Sequence, residues 1–363
     1  MEPMARHHTG VERCSGCGRS AWLAAAFALL LASGCEAPTP ISEANDHDTS
    51  TDGDTSTDVD TGTDGDADGD ADTDTGTETE PTTDPDPDCA DLPGAPEAFG
   101  EIAGVTSGTA MAFGGDGVLV TAVDLDLDRT ERNEASATWI PGSGCVRGLA
   151  ALPTGDFVCC GADAVYLFDR ITGTRRTVAS GLRDPAGLAV GRKGEIYAAE
   201  RAGGDVVVLN PYTGASHVVA DGLSSPSAIT ADAARGVLYV NTDCHTVYEM
   251  TIGPDGAVSA PALMFSPQQG PGADSCLQDL AVDGCGNLYA LTAGEPQVIR
   301  VSPEIRIAEV FADLRPYTSA AYDFEWGPGL GGFRDDALYV LCSGDVMLEL
   351  AIPGWSIKPS PNK

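Results

Sequence analysis

An apolar unit that recurs about every 40 residues, Gly and Pro turns between short apolar runs, and the lack of any sustained helical period predict an all-β fold. The fold class expected is a β-propeller of six four-stranded blades, occupying residues 89–363. The chain has 363 residues, with 44 Gly and 24 Pro but few aromatic residues, which suits many turns rather than packed helices. Length alone suggests two domains, but repeat folds run long as single units.

The leader comes first. Arg6, Arg13 and Arg19 precede an apolar run from Ala21 to Leu31, and small residues follow it. A basic start, a short apolar core and a small-residue exit make residues 1–34 a secretory signal. The run is shorter than the ~20 residues that span a bilayer. Leu31-Ala32-Ser33-Gly34-Cys35 resembles the lipobox of bacterial lipoproteins. That resemblance implies cleavage before Cys35 and acylation of its thiol. Cys35 is then the lipid-bearing residue, and each buried CH2 of its acyl chains adds about 0.8 kcal/mol of membrane affinity. The protein implied is exported and membrane-anchored, at the outer membrane, on its periplasmic face or at the cell surface. Cys14-Ser15-Gly16-Cys17 has zinc or redox spacing, but it falls in the segment to be removed and has no second ligand pair nearby.

Residues 35–88 form the stalk. Asp, Thr, Gly, Ser and Pro dominate, Ile41 and Val59 are the only large apolar side chains, and Lys and Arg are absent. Such a segment buries too little surface to offset its ordering entropy, so disorder is expected. About half of the formal net charge of -35 sits here. Carboxylates at alternate positions from Asp64 to Asp74 are spaced as in calcium loops, but the terminal bidentate Glu and the helical frame of an EF-type loop are missing. Residues 89–363 are still net acidic, which opposes binding to nucleic acid.

The blades follow. Leu149, Leu188, Ile229 and Leu280 anchor four clear copies, as in Arg147-Gly148-Leu149-Ala150 and Ala186-Gly187-Leu188-Ala189. Met111 and Phe324 anchor degenerate first and last copies. In the third blade, strands are predicted over 186–190, 195–199, 205–209 and 215–220. The last blade shows strands near 322–326, 337–341 and 346–351 and then runs out. Residues 98–104 resemble a fourth strand, so the N-terminal segment is expected to complete that blade and remove an exposed edge.

The pattern Pro-x-Gly-Leu-Ala-Val, Gly-x-Ile-Tyr-x-Ala and Asp-Val-Val-Val-Leu-Asn-Pro-x-Thr-Gly across 185–214 resembles the NHL repeat and the regucalcin/gluconolactonase group of six-bladed propellers. The likeness covers 97–352 and is sharpest over 182–252. In the lactonase branch, a Glu, two Asn and an Asp surround a metal. Here Ser107 and Thr109 stand where the early Glu is wanted, and no Asn falls at the aligned inner positions. Asp279 or Asp323 alone matches the family Asp.

Apart from Cys35, eight cysteines follow the leader, an even number that suggests disulfides in an exported chain. Cys244 follows the second strand of blade four and Cys276 opens blade five, so fold logic pairs Cys244 with Cys276. Cys159 and Cys160 point to opposite faces of one strand.

The first strand of each blade lines the channel. Arg147, Gln278, Asp279 and Asp323 cluster at its aligned positions, with Glu325 nearby. Asp279 and Asp323 could hold Ca2+ or another divalent cation, act as an acid/base pair, or pair with Arg147 and cap backbone N–H groups. No GxSxG nucleophile occurs. Three readings follow. The first is a non-catalytic scaffold that binds a protein, peptide or glycan through its loop face. The second is a gluconolactonase-like, metal-dependent hydrolase of a lactone or ester. The third is a structural envelope lipoprotein.

Overall fold

A computed structural model describes Cys89, residues 94–266 and residues 275–352. The leader, Cys14 and Cys17, the lipobox with Cys35, and the acidic stretch lie outside the described residues.

Among the described residues, 24 strands form six four-stranded antiparallel sheets. The innermost strands are β2 (Ala110–Phe113), β6 (Arg147–Ala151), β10 (Pro185–Val190), β14 (Ile229–Asp232), β18 (Leu277–Val282) and β22 (Ala321–Trp326). Each adjoins the next in that order, and β22 adjoins β2. The sheets are therefore blades around a ring, six as expected. In the third blade the strands are Pro185–Val190, Ile196–Glu200, Asp205–Leu209 and Ser216–Ala220, each bound within one residue of expectation.

The second strand of each blade is the most apolar. Ile196–Glu200, Leu288–Thr292 and Ala337–Cys342 are buried at every position. A strand covered on both faces loses the in/out alternation and reads as a continuous apolar run. The outermost strand Ser216–Ala220 is mostly exposed. Six apolar clusters fill the six seams between blades. In the seam between blades five and six, Tyr289 meets Trp326 and Phe311 edge-on, with ring centroids 5.1 and 5.0 Å away, a geometry that adds to simple burial.

Ring closure comes from the N-terminal side. β1 (Ala98–Ala103) pairs antiparallel with β24 (Val346–Ala351), with Phe99 opposite Leu350 and Ile102 opposite Met347. The last blade thus has strand order β1-β24-β23-β22, where β23 is Ala337–Cys342. Phe99 stacks on Tyr317 at 4.6 Å.

Two turn types recur. The turn after the inner strand ends in a left-handed glycine, as at Gly155 (φ 86) and Gly194 (φ 78), which only glycine adopts freely. The turn after the third strand is an Asx turn. The Asp169 carboxylate accepts the Thr172 N–H at 2.7 Å, and Asn210 Oδ1 accepts the Tyr212 N–H at 2.9 Å. The antiparallel order sends both turns to one face and leaves the N-terminal ends of the inner strands at the other, which is the channel mouth.

Among the described residues, three disulfides join Cys89 to Cys285, Cys145 to Cys159 and Cys244 to Cys276, while Cys160 and Cys342 are free and buried.

Candidate functional site in the central channel

The inner strands enclose a cavity of about 960 Å³. An inner strand is an edge strand, so every second N–H points across the channel-side seam and needs an acceptor. Here the chain uses acidic side chains. Asp323 Oδ2 accepts the Met111 N–H at 3.0 Å, and Glu325 Oε2 accepts the Phe113 N–H at 3.1 Å. Asp279 Oδ2 accepts the Phe324 N–H at 3.3 Å. Each carboxyl thus ties its own inner strand to that of the next blade.

The other seams use different devices. Thr109 Oγ1 donates to Val146 O at 3.1 Å, and Asn241 Nδ2 donates to Leu277 O at 3.0 Å. At the seam between blades three and four the strands touch directly, because a Cβ on Gly187 would lie 2.2 Å from Ser227 O. The seam between blades two and three is also tight, with Gly148 facing Ala186 O.

Asp279 and Asp323 stand on adjacent inner strands and influence each other's ionisation. β-Bulges at Gln278 and Tyr322, one residue before each Asp, shift the pairing register there. Burial raises both carboxyls above the ordinary range, and the charge of Asp279 raises Asp323 further. Two neighbouring buried carboxyls resist being ionised together. Burial also pushes Glu325 up to about 8, against the Phe113 N–H that favours its anion. All three are half-buried, enclosed by protein but open to the channel.

Arg147 is elsewhere. Asp279 and Asp323 do not bond it; its guanidinium pairs with Asp184 at 2.5 Å, and Arg201 joins the same carboxylate at 2.6 Å. Burial opposes ionisation of Asp184, but hydrogen bonds from Arg201 and Arg147 hold it below its ordinary value. Arg147, Arg201 and the exposed Gln278 line the mouth. Asp184 and Arg201 escaped sequence reasoning because neither lies at an aligned inner-strand position.

The residues present do not reproduce a lactonase metal set. Ca2+ takes six to eight oxygens. Among the described residues, no choice of oxygens brings Asp279, Asp323 and Glu325 within 4.8 Å of one another. Ser107 and Thr109 donate their hydroxyls to the carbonyls of Cys342 and Val146. The arrangement offers two neighbouring carboxyls raised by burial and a polar rim.

No protein-family profile matches the chain, and no curated protein sequence matches it. Solved structures do match. A gluconolactonase from Xanthomonas campestris superposes with a TM-score of 0.58 at 16% identity, covering 72% of this chain and 96% of that one. A putative gluconolactonase gives 0.58 at 12% identity, covering 71% and 94%. The fold is that of the gluconolactonase-like six-bladed propellers. An auxiliary nutrient binding protein from Bacteroides ovatus gives 0.56 at 14% identity, covering 70% and 73%. One propeller fold thus carries both a lactonase and a nutrient binder, and activity follows from the site rather than from the fold.

Proposed function

We propose that this chain is an exported, lipid-tethered propeller that binds a protein, peptide or glycan segment at the mouth of its channel, without catalysis. The observation that carries this reading is the use of the channel acids. Asp279, Asp323 and Glu325 each accept an inner-strand N–H of the next blade, so they hold the ring and do not converge on an ion. The mouth above them offers Arg147, Arg201 and Gln278, side chains that donate several hydrogen bonds to a polar ligand. The tether is supported by Leu31-Ala32-Ser33-Gly34-Cys35 and by the acidic stretch after it. Metabolic labelling with a clickable fatty acid tests it: label should appear in the wild-type chain and vanish in Cys35→Ala.

A second reading is a metal-dependent lactone or ester hydrolase, supported by the neighbouring carboxyls of Asp279 and Asp323, both raised by burial, in a cavity. Elemental analysis of the purified chain, dialysed against trace calcium, separates the two. A stoichiometric divalent ion that is lost in Asp279→Asn/Asp323→Asn supports the hydrolase. Absence of bound metal in both, with ligand binding weakened by Arg147→Ala, supports the binder. A chain with neither metal nor ligand is a structural envelope component.

A further inference from the structure

Cys244 and Cys276 carry more than a crosslink. Both line the channel cavity. One imidazole nitrogen of His245 and both sulfurs lie within 4.8 Å of one another, the one such trio of His, Cys, Asp or Glu donors among the described residues. His245 Nδ1 is buried with no hydrogen-bond partner, and a buried polar nitrogen left without a partner is costly. Among the described residues, the Cys89–Cys285 and Cys145–Cys159 bridges have no such imidazole beside them.

We propose that Cys244, Cys276 and His245 form a redox-gated site for a thiophilic d10 cation of the Zn2+ class, closed as the disulfide and open as the dithiol. With Zn–S near 2.3 Å and Zn–N near 2.0 Å, tetrahedral donors stand about 3.5 to 3.8 Å apart. The His245 nitrogen and both sulfurs lie within 4.8 Å of one another, so small side-chain adjustments bring them to that spacing. Opening the bond requires the sulfurs to separate by only about 2 Å.

The backbone keeps the two cysteines in place without the bridge. Leu277 N–H donates to Cys244 O at 2.6 Å, directly linking the turn to the start of blade five. Ala293 N–H donates to Cys276 O at 2.7 Å, and His245 N–H donates to Thr242 O at 3.1 Å. Asp243 (φ 51) and Cys244 (φ 69) make a tight left-handed turn that fixes the Cys244 side chain toward Cys276. The Cα atoms are 4.5 Å apart. Three protein ligands leave a fourth position open, as in catalytic rather than structural zinc sites, and both cysteines line the channel cavity.

The chemistry balances. A dithiol reductant gives two electrons to the S–S bond and becomes a disulfide itself, and its two protons pass to the freed sulfurs. The cation then binds both sulfurs as thiolates, and those protons go to solvent.

The test uses the full chain, mildly reduced with a dithiol and then freed of reductant. Zn2+ is added, cysteines are alkylated with iodoacetamide over time, and modification is read peptide by peptide. Zn2+ should slow alkylation of Cys244 and Cys276 by about tenfold or more while leaving Cys89 and Cys285 unchanged, and His245→Gln should lose most of that protection. Replacing Zn2+ with Co2+ in the wild-type chain should give a thiolate-to-metal charge-transfer band only after reduction. Equal alkylation with and without Zn2+, protection spread over all cysteines, or full protection in His245→Gln overturns the proposal. The wild-type arms need no variant to fold.

Discussion

Asp323 Oδ2 accepts the Met111 N–H at 3.0 Å, a bond that runs from the last blade to the first. The ring is therefore closed twice in that seam region, by β1 at the rim and by acidic side chains at the channel. The acids that close it are raised above their ordinary values by burial, which makes closure pH-dependent.

Folding stability should fall as pH rises through neutrality. Glu325 has its folded value lifted from 4.5 to about 8. Between those values the folded chain holds a proton that the unfolded chain has released, so stability is full below the window and is lost through it. Asp279 and Asp323 act in the same direction. Asp184 and Asp336 are lowered, so their contribution is lost only at acid pH. The urea midpoint should peak near pH 5 and decline toward pH 9. Glu325→Gln keeps an amide oxygen for the Phe113 N–H and should flatten that decline by about 2 to 4 kcal/mol. Parallel curves for the two proteins would contradict the assignment.

Gly187→Ala should be costly for a steric reason. Gly187 does not have a left-handed φ, yet a Cβ would sit 2.2 Å from Ser227 O on the next blade. The carbonyl belongs to backbone, so the seam must open. A loss of about 2 to 4 kcal/mol is expected by chemical denaturation. The matching change at Gly222, where nothing lies within 4 Å, carries only the strain of its φ of 69. A Gly187→Ala chain as stable as the wild type would show that this seam is loose.

The blades were legible because their signal is local. Leu188 and Ile229 recur in phase, and each turn announces itself through Gly, Asn or Asp. Closure was legible because residues 98–104 resemble the fourth-strand stretch of the other blades. The seams were less so. Arg147 was expected near Asp279 and Asp323, yet its partner is Asp184, 37 residues away on the neighbouring blade. That choice depends on how two blades lean together, which no single repeat encodes. Alignment placed Asp279 and Asp323 in the channel, but their contact depends on bulges at Gln278 and Tyr322 that shift the register. His245 beside the Cys244–Cys276 bridge had a signal in the Cys-His dipeptide, but spacing alone did not reveal that the pair would meet.

Removing β1 should drive the protein to self-associate. A chain that begins at Val105, in a Cys285→Ser background, loses the pairing of Phe99 with Leu350 and of Ile102 with Met347. It also loses the Phe99–Tyr317 stack. β24 becomes an unprotected edge, and such edges recruit other chains. Size-exclusion chromatography should show larger species than the full chain gives at the same concentration. A monomer that melts at the wild-type temperature would mean that the side-chain bridges of the channel close the ring alone.

The Cys89–Cys285 bridge should act mainly on the unfolded state. It joins residues 196 apart, whereas Cys145–Cys159 spans 14. Crosslinking a longer loop removes more unfolded-chain entropy, with about 3 kcal/mol for a 15-residue loop and about 4.7 for a 100-residue one. Cys89→Ser/Cys285→Ser should therefore lower stability by about 2 to 5 kcal/mol. The mechanism leaves a second signature. An unfolded chain released from a long loop expands and exposes more surface, so the slope of free energy against denaturant should steepen along with the fall in midpoint. Cys145 and Cys159 are fully buried, so their removal also costs packing and should change the midpoint with little change in slope. A Cys89→Ser/Cys285→Ser variant with an unchanged slope would place the effect in the folded state, as a local clasp beneath blade five.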